Sequence, residues 1–297
     1  MESVSNNDTK EAAGGGDVMK IDVGAVLRSR VPRYARFIPR PLVRWLERVI
    51  CQDEMNEMLE VCRGRRDADF CRGVLDHLGI TVDVAGTENL PPASRRRVTI
   101  VSNHPLGGLD GMALIDWATS YWGPGVKFVV NDLLMAIEPL HGTFIPVNKH
   151  GAQSRGSLSQ LDEALDADAP VIIFPAGLVS RRGSDGTVCD LKWRKMFVNK
   201  SVQYHRDIIP VHFNGHNSAF FYKFARLRKR LGLKFNIEMV RLPAEVFRCR
   251  GARFVISIGH MIKWQDLKSG AKADAEAQRI KQIVYALAPN PTEKKHH

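Results

Sequence analysis

The sequence predicts an α/β fold: a mixed, mostly parallel sheet flanked by helices, with an N-terminal amphipathic helical segment ahead of it. Three observations carry this. From Val98 onward, short β-rich runs alternate with segments of helical periodicity, the pattern of helices on both faces of a sheet. Arg97 to Trp122 reads as a strand, a glycine-rich turn and a helix, the unit such folds are built from. The 297 residues are 44% hydrophobic and 25% charged, enough to bury a sizeable core.

In chain order, Met1 to Gly16 is polar and ends in three glycines, so residues 1–20 are expected to be a disordered tail and not a signal peptide. Residues 21–80 are expected to be helical. Between Val23 and Ile50, Arg28, Arg30, Arg33, Arg36, Arg40, Arg44 and Arg48 face the single acid Glu47 and interleave with apolar residues that include Tyr34, Phe37 and Trp45. Pro32, Pro39 and Pro41 divide this stretch into two short helices. Arginines and aromatics on amphipathic helices suit an anionic lipid surface, each basic residue adding about 1 kcal/mol. The competing reading is a helical hairpin packed on its own domain. Nucleic acid fits less well, because the aromatics alternate with aliphatics and no reading motif accompanies them.

Glu54 to Leu78 continues helical, Ile80 to Val84 is a strand, and Gly86 to Arg96 is a polar loop. Residues 81–290 form the expected α/β domain. Its strands are Val98–Ser102, Val126–Val130, Thr143–Val147, Pro170–Phe174, Ile208–Phe213 and Phe254–Ile258. Its helices are Asp110–Trp122, Ser154–Leu165, Lys192–His205, Ala219–Leu231 and Ala271–Ala288. Leu233 to Arg250 fits neither pattern cleanly, and 291–297 is a polar, flexible tail. The basic, aromatic run from Phe220 to Leu233 is either a second membrane contact or a basic helix end.

A net charge of +11 and a pI near 9.6 imply an anionic partner, whether a membrane surface, nucleic acid or a phosphate-bearing substrate. Five cysteines without a CxxC spacing argue against a disulfide framework or a zinc site. No run approaches the ~18 apolar residues of a spanning helix.

The chemistry concentrates at Asn103-His104-Pro105-Leu106-Gly107-Gly108-Leu109-Asp110, between a strand and a helix. Open α/β sheets keep ligands at such carboxyl edges. His104 can act there as a base with Asp110 orienting it; a Pro-Gly turn with an N-capping Asp is the structural alternative. His212 and His216, with Asn214 and Asn217, could make a metal site or a polar wall. No carboxylate or Cys ligand stands at metal spacing, so the wall is preferred and no metal is expected. No Gly-x-Ser-x-Gly elbow is present, which disfavours a covalent acyl-enzyme.

Four blocks in order resemble the motifs of the glycerolipid (lysophospholipid) acyltransferase family. They are Asn103 to Asp110, Gly142 to Asn148, Phe174 to Arg181, and Ile208-Ile209-Pro210-Val211. Asn103 to Gly111 and Phe174 to Arg181 are most similar to the bacterial ornithine- and glycine-lipid O-acyltransferases, the haemolysin-like branch. The resemblance implies transfer of a fatty acyl chain from an acyl thioester, acyl-ACP or acyl-CoA, to a lyso-lipid hydroxyl, with no further cofactor. It implies a peripheral protein on the cytoplasmic face of the inner membrane, its partners being lipid, lyso-lipid and the thioester carrier. His104 and Asp110 would be catalytic, and Gly177, Pro175 and Ser180 would serve the oxyanion and acyl donor. Asn103, Gly107, Gly108, Lys149, Arg181 and Arg182 would bind substrate.

Three departures matter. The family usually places four residues between His and Asp, whereas here there are five, Pro105 to Leu109. One extra residue on a helix would turn Asp110 about 100° away, so Gly107-Gly108 must bend for the pair to meet. The third motif usually reads Pro-Glu-Gly but here is Pro175-Ala176-Gly177, which speaks against lysophosphatidic acid as acceptor and for a lyso-amino-acid lipid. The second motif usually ends in arginine; here Asn148-Lys149 stands instead, a point charge without the bidentate fork. A 1-acylglycerol-3-phosphate acyltransferase and a non-catalytic membrane-binding module with a decayed site are the alternatives.

Overall fold

The protein is described by a computed structural model over residues 20–30, 38–147, 155–232 and 236–289. The expected tails, Arg33, Tyr34, Arg36, Phe37 and Asn148-Lys149 lie outside these residues. The described residues open with four helices, α1 (Val23–Arg30), α2 (Arg40–Val49), α3 (Gln52–Val61) and α4 (Asp67–His77). It continues through β1 (Thr81–Ala85), β2 (Val98–Ser102), α5 (Leu109–Trp122), β3 (Lys127–Asn131), β4 (Phe144–Val147), α6 (Arg155–Asp166) and β5 (Val171–Ile173). A small hairpin of β6 (Arg181–Arg182) and β7 (Val188–Cys189) precedes α7 (Met196–Gln203), β8 (Asp207–Phe213) and α8 (Ala219–Arg230). Helix α9 (Leu242–Arg248), β9 (Arg253–Ile258) and α10 (Ala273–Ala286) complete it.

Seven strands form one sheet in the order β1-β9-β8-β2-β5-β3-β4. Only the β8–β9 pair within it is antiparallel, so the sheet is mixed and mostly parallel. Every residue of β2 and of β8 is buried, as expected of strands covered on both faces. Alternate residues along a strand serve opposite faces. Val98 and Ile100 of β2, Ile172 of β5 and Phe128 and Val130 of β3 pack with α3, α4 and α5. Val101, Val171, Ile173 and Val129 pack on the other face with α6, α7 and α10.

The segment 21–80 divides accordingly. Phe70, Cys71, Val74, Leu75 and Leu78 are core residues of the sheet's first face, and α4 lies across α5. Helix α2, by contrast, buries no residue, and Leu42 and Trp45 are exposed. The ambiguous stretch after Leu233 resolves into a 3-10 turn, Ile237–Arg241, and α9. Under the amino ends of the central strands lies Arg206, wholly buried, whose guanidinium donates to the carbonyls of Val98, Leu165, Ala167 and Ala169. Burial lowers its pKa to about 10.

The connections place the site. From β2 the chain runs to β3, β4 and back to β5 on one side, then crosses to β8 on the other. The carboxyl end of β2 is therefore a topological switch point. There the chain after β2 (Asn103-His104), after β5 (Phe174-Pro175) and after β8 (Asn214-Gly215-His216) comes to one edge.

Candidate active site

The polypeptide leaves β2 as an unwound loop, and α5 begins only at Leu109. The residues between His104 and Asp110 are thus not helical, and the 100° penalty that a helical reading imposes does not arise. Gly107 has φ +89°, a conformation that other residues rarely adopt. A Cβ there would lie 2.8 Å from Val179 Cγ2 and 2.9 Å from Leu242 Cδ1. The bend brings His104 Nδ1 to 2.9 Å from Asp110 Oδ2.

Asp110 is fully buried and does not cap its helix, since Gly108 holds the N-cap position. Its carboxylate instead gathers the loop: Oδ2 accepts from the N–H groups of Leu106 (2.9 Å) and Gly107 (3.3 Å), and Oδ1 from Gly111 N–H (2.9 Å). Burial alone would raise the Asp110 pKa. The His104 charge and the hydrogen bonds from His104, Leu106 and Gly107 outweigh it, and the net shift is downward. An acceptor-only carboxylate on Nδ1 places the neutral ring's proton there and leaves Nε2 with its lone pair.

The imidazole is stacked on Phe174, the first residue of the third motif, at 4.1 Å between ring centres. The main chain of His104 is held too. Its N–H donates to Asp190 Oδ1 (3.2 Å), and its carbonyl accepts from Ser180 N–H (2.8 Å). Asp190, buried, also accepts from Ser180 Oγ (2.6 Å) and Trp193 Nε1 (2.9 Å). Asn103 extends the sheet with its side chain: Nδ2 donates to the Phe213 carbonyl (2.9 Å) and Oδ1 accepts from Phe213 N–H (2.7 Å).

Several expected roles look different in place. Gly177, at φ +63°, donates its N–H to the Phe174 carbonyl at 2.9 Å. Pro175 has no N–H, and both donors of Ser180 are spent on His104 and Asp190. None of the three therefore offers a free donor to an oxyanion in this conformation. Arg181 turns away: its guanidinium lies 2.9 Å from buried Glu238, which Arg228 also meets at 2.9 Å. Burial lowers the Arg181 pKa, against the Glu238 charge that raises it. Arg182 alone of the pair borders a cavity, of about 330 Å³, which Asn103, Ser180, His212, His216 and Tyr285 also line. The second motif ends on β4, three strands from β2 and so about 14 Å away. Asp190 and Tyr285 were not singled out by sequence, and Phe174 was named only as the start of the third motif.

A family model described as "Acyltransferase" matches residues 25–290. The chain belongs to the acyltransferase family. The lyso-glycine lipid O-acyltransferase of Phocaeicola vulgatus is 39% identical over 270 residues, spanning 91% of this chain and 96% of the relative. The protein of the same name from Bacteroides thetaiotaomicron is 40% identical over 267 residues, spanning 90% and 97%. Among solved structures, the 1-acyl-sn-glycerophosphate (LPA) acyltransferase PlsC of Thermotoga maritima shares 16% identity, covers 90% of this chain and 92% of its own, and gives a TM-score of 0.45. This acyltransferase is thus an enzyme whose His104–Asp110 pair stands at the carboxyl edge of the central strand. No described helix is long and apolar enough to cross a membrane.

Proposed function

We propose that this acyltransferase moves a fatty acyl chain from acyl-ACP or acyl-CoA to the hydroxyl of a lyso-amino-acid lipid of the glycine type. The observation that carries the reading is the His104–Asp110 pair, taken with the activity for which relatives about 40% identical over nine-tenths of the chain are named. His104 Nε2 takes the acceptor hydroxyl proton as the oxygen attacks the thioester carbonyl. The C–O bond forms, the C–S bond breaks, and the imidazolium returns its proton to the departing thiolate. Asp110 holds the Nδ1–H tautomer and stabilises the positive ring between the two transfers.

Docking on lipid fits the same reading. Leu42 and Trp45 on α2, and Phe220 and Leu227 on α8, are exposed beside arginines. Arg241 adds a further cation to the α8 group, its guanidinium lying 4.6 Å over the Phe220 ring. A peripheral position on the cytoplasmic face of the inner membrane belongs to this proposal.

The test is acyl transfer by purified protein with an N-(β-hydroxyacyl)glycine or with lysophosphatidic acid, each against acyl-ACP and acyl-CoA. The expected result is turnover of the glycine lipid that His104→Ala reduces by at least about 100-fold. Turnover retained in that variant would remove His104 as the base, and preference for lysophosphatidic acid would overturn the acceptor.

A further inference from the structure

The cavity of about 330 Å³ beside the dyad has a feature that acyl transfer does not require. His212, on the buried strand β8, is 8% exposed and borders the cavity, and its Nδ1 is buried with no hydrogen-bonding partner. Leaving a polar atom orphaned in a core is costly, so such a position invites a ligand-facing role for the ring. With Nδ1 lacking an acceptor, a neutral imidazole keeps its one proton on Nε2. Burial holds the ring neutral by pulling its pKa down to about 4. The lining also includes Arg182, an exposed residue whose guanidinium lies 5.6 Å over the Tyr222 ring and, unlike Arg181, makes no ion pair among the described residues. The cavity adjoins the reacting residue, because Asn103 and Pro105 on either side of His104 both line it.

We infer that this cavity is the headgroup pocket of the acceptor, in which Arg182 takes the carboxylate of the acyl amino acid and His212 donates to a polar headgroup atom. The inference rests on the proposed lyso-amino-acid lipid reading and adds the residues that would read the headgroup. One guanidinium suits a singly charged carboxylate, bound by parallel N–H donors. A phosphate of the thioester carrier offers the same anionic chemistry and is the competing occupant.

The experiment pairs an N-(β-hydroxyacyl)glycine with its methyl ester, which keeps the hydroxyl and chain but removes the charge. Both are offered to wild type, Arg182→Gln, Arg182→Lys and His212→Phe. Binding of each lipid in detergent micelles, without donor, is measured alongside kcat and KM. Wild type is expected to favour the free acid by about 10- to 100-fold, mostly in binding and KM. Arg182→Gln erases that preference by weakening the acid alone, Arg182→Lys restores part of it, and His212→Phe weakens both lipids. Equal loss for acid and ester in Arg182→Gln, or no loss in either, overturns the pocket. A rise in donor KM with unchanged acceptor binding assigns Arg182 to the carrier phosphate and also overturns it. Arg182-dependent binding of the acid without any transfer keeps the pocket and sinks the proposed reaction; transfer without acid preference does the reverse.

Discussion

Replacing Asp110 with Asn isolates the charge of the dyad from its geometry. The carboxylate accepts three hydrogen bonds on Oδ2, from His104, Leu106 and Gly107, and one on Oδ1, from Gly111. An asparagine keeps most of these only by placing its amide nitrogen at the Oδ1 position, against Gly111 N–H. It then holds His104 in place, but two donors face each other in a fully buried site. That costs about 1–3 kcal/mol of folding stability. The catalytic effect is electrostatic. With charge centres about 4 Å apart and an effective dielectric near 20, the carboxylate favours the imidazolium by about 4 kcal/mol. Losing it lowers kcat by about a thousandfold. The Asp110 pKa is held below the ordinary carboxylate value. Its contribution to stability is therefore present above that value and lost as pH falls through the lower folded one; the variant lacks this component of acid unfolding. Acyl-transfer kinetics across pH, with urea unfolding, measure both effects. A variant that folds and keeps more than about a tenth of wild-type kcat, while His104→Ala is inactive, would refute an electrostatic role for Asp110.

Asp190→Ala strands three donors, those of His104, Ser180 and Trp193. A stability loss of at least about 3 kcal/mol in urea unfolding is expected, with reduced kcat in the folded fraction. Glu238→Ala leaves Arg181 and Arg228 facing each other without their buried carboxylate. Breaking such a pair costs about 3–5 kcal/mol, and a loss below about 1 kcal/mol would show that water replaces it freely. The double variant Leu42→Glu with Trp45→Glu, at positions exposed on α2, should fold as wild type and sediment less with anionic phospholipid vesicles. Unchanged sedimentation would exclude α2 from the docking face.

Where chemistry and neighbours were local in the chain, they were legible. The seven sheet strands were legible as short β-rich runs: β2 and β8 because strands buried on both faces admit little else, and the edge strand β1, which buries no residue, by its alternation. His104, Pro105 and the glycines share one turn, so their meeting with Asp110 could be anticipated. The 100° rotation that a helix would impose does not arise, because the loop is still unwound before Leu109 and bends at Gly107, as the long spacing required. The hairpin β6–β7 escaped notice because two-residue strands carry no periodicity, and Asp190, which follows it, escaped with it.

The two arginines of the third motif show most clearly why the remainder was hidden. Arg181, the last residue of the motif, and Arg182, the next, are adjacent and equally basic. Alternation along the short strand β6 sends them opposite ways. One meets Glu238, 57 residues later, and the other borders the cavity. The charge of the sequence fixes neither fate. What separates them is a carboxylate buried by the fold of 237–248, the stretch whose pattern was ambiguous. The same holds for His212. Its place on a strand is readable, but its unpartnered nitrogen depends on Tyr285 of α10 standing against it edge-on, 5.9 Å away, without offering that nitrogen a hydrogen bond. The proposed headgroup pocket thus depends on long-range contacts around a locally encoded dyad. Substitutions at Arg182 and His212 are accordingly expected to change which acceptor is used, while those at His104 and Asp110 change whether any is.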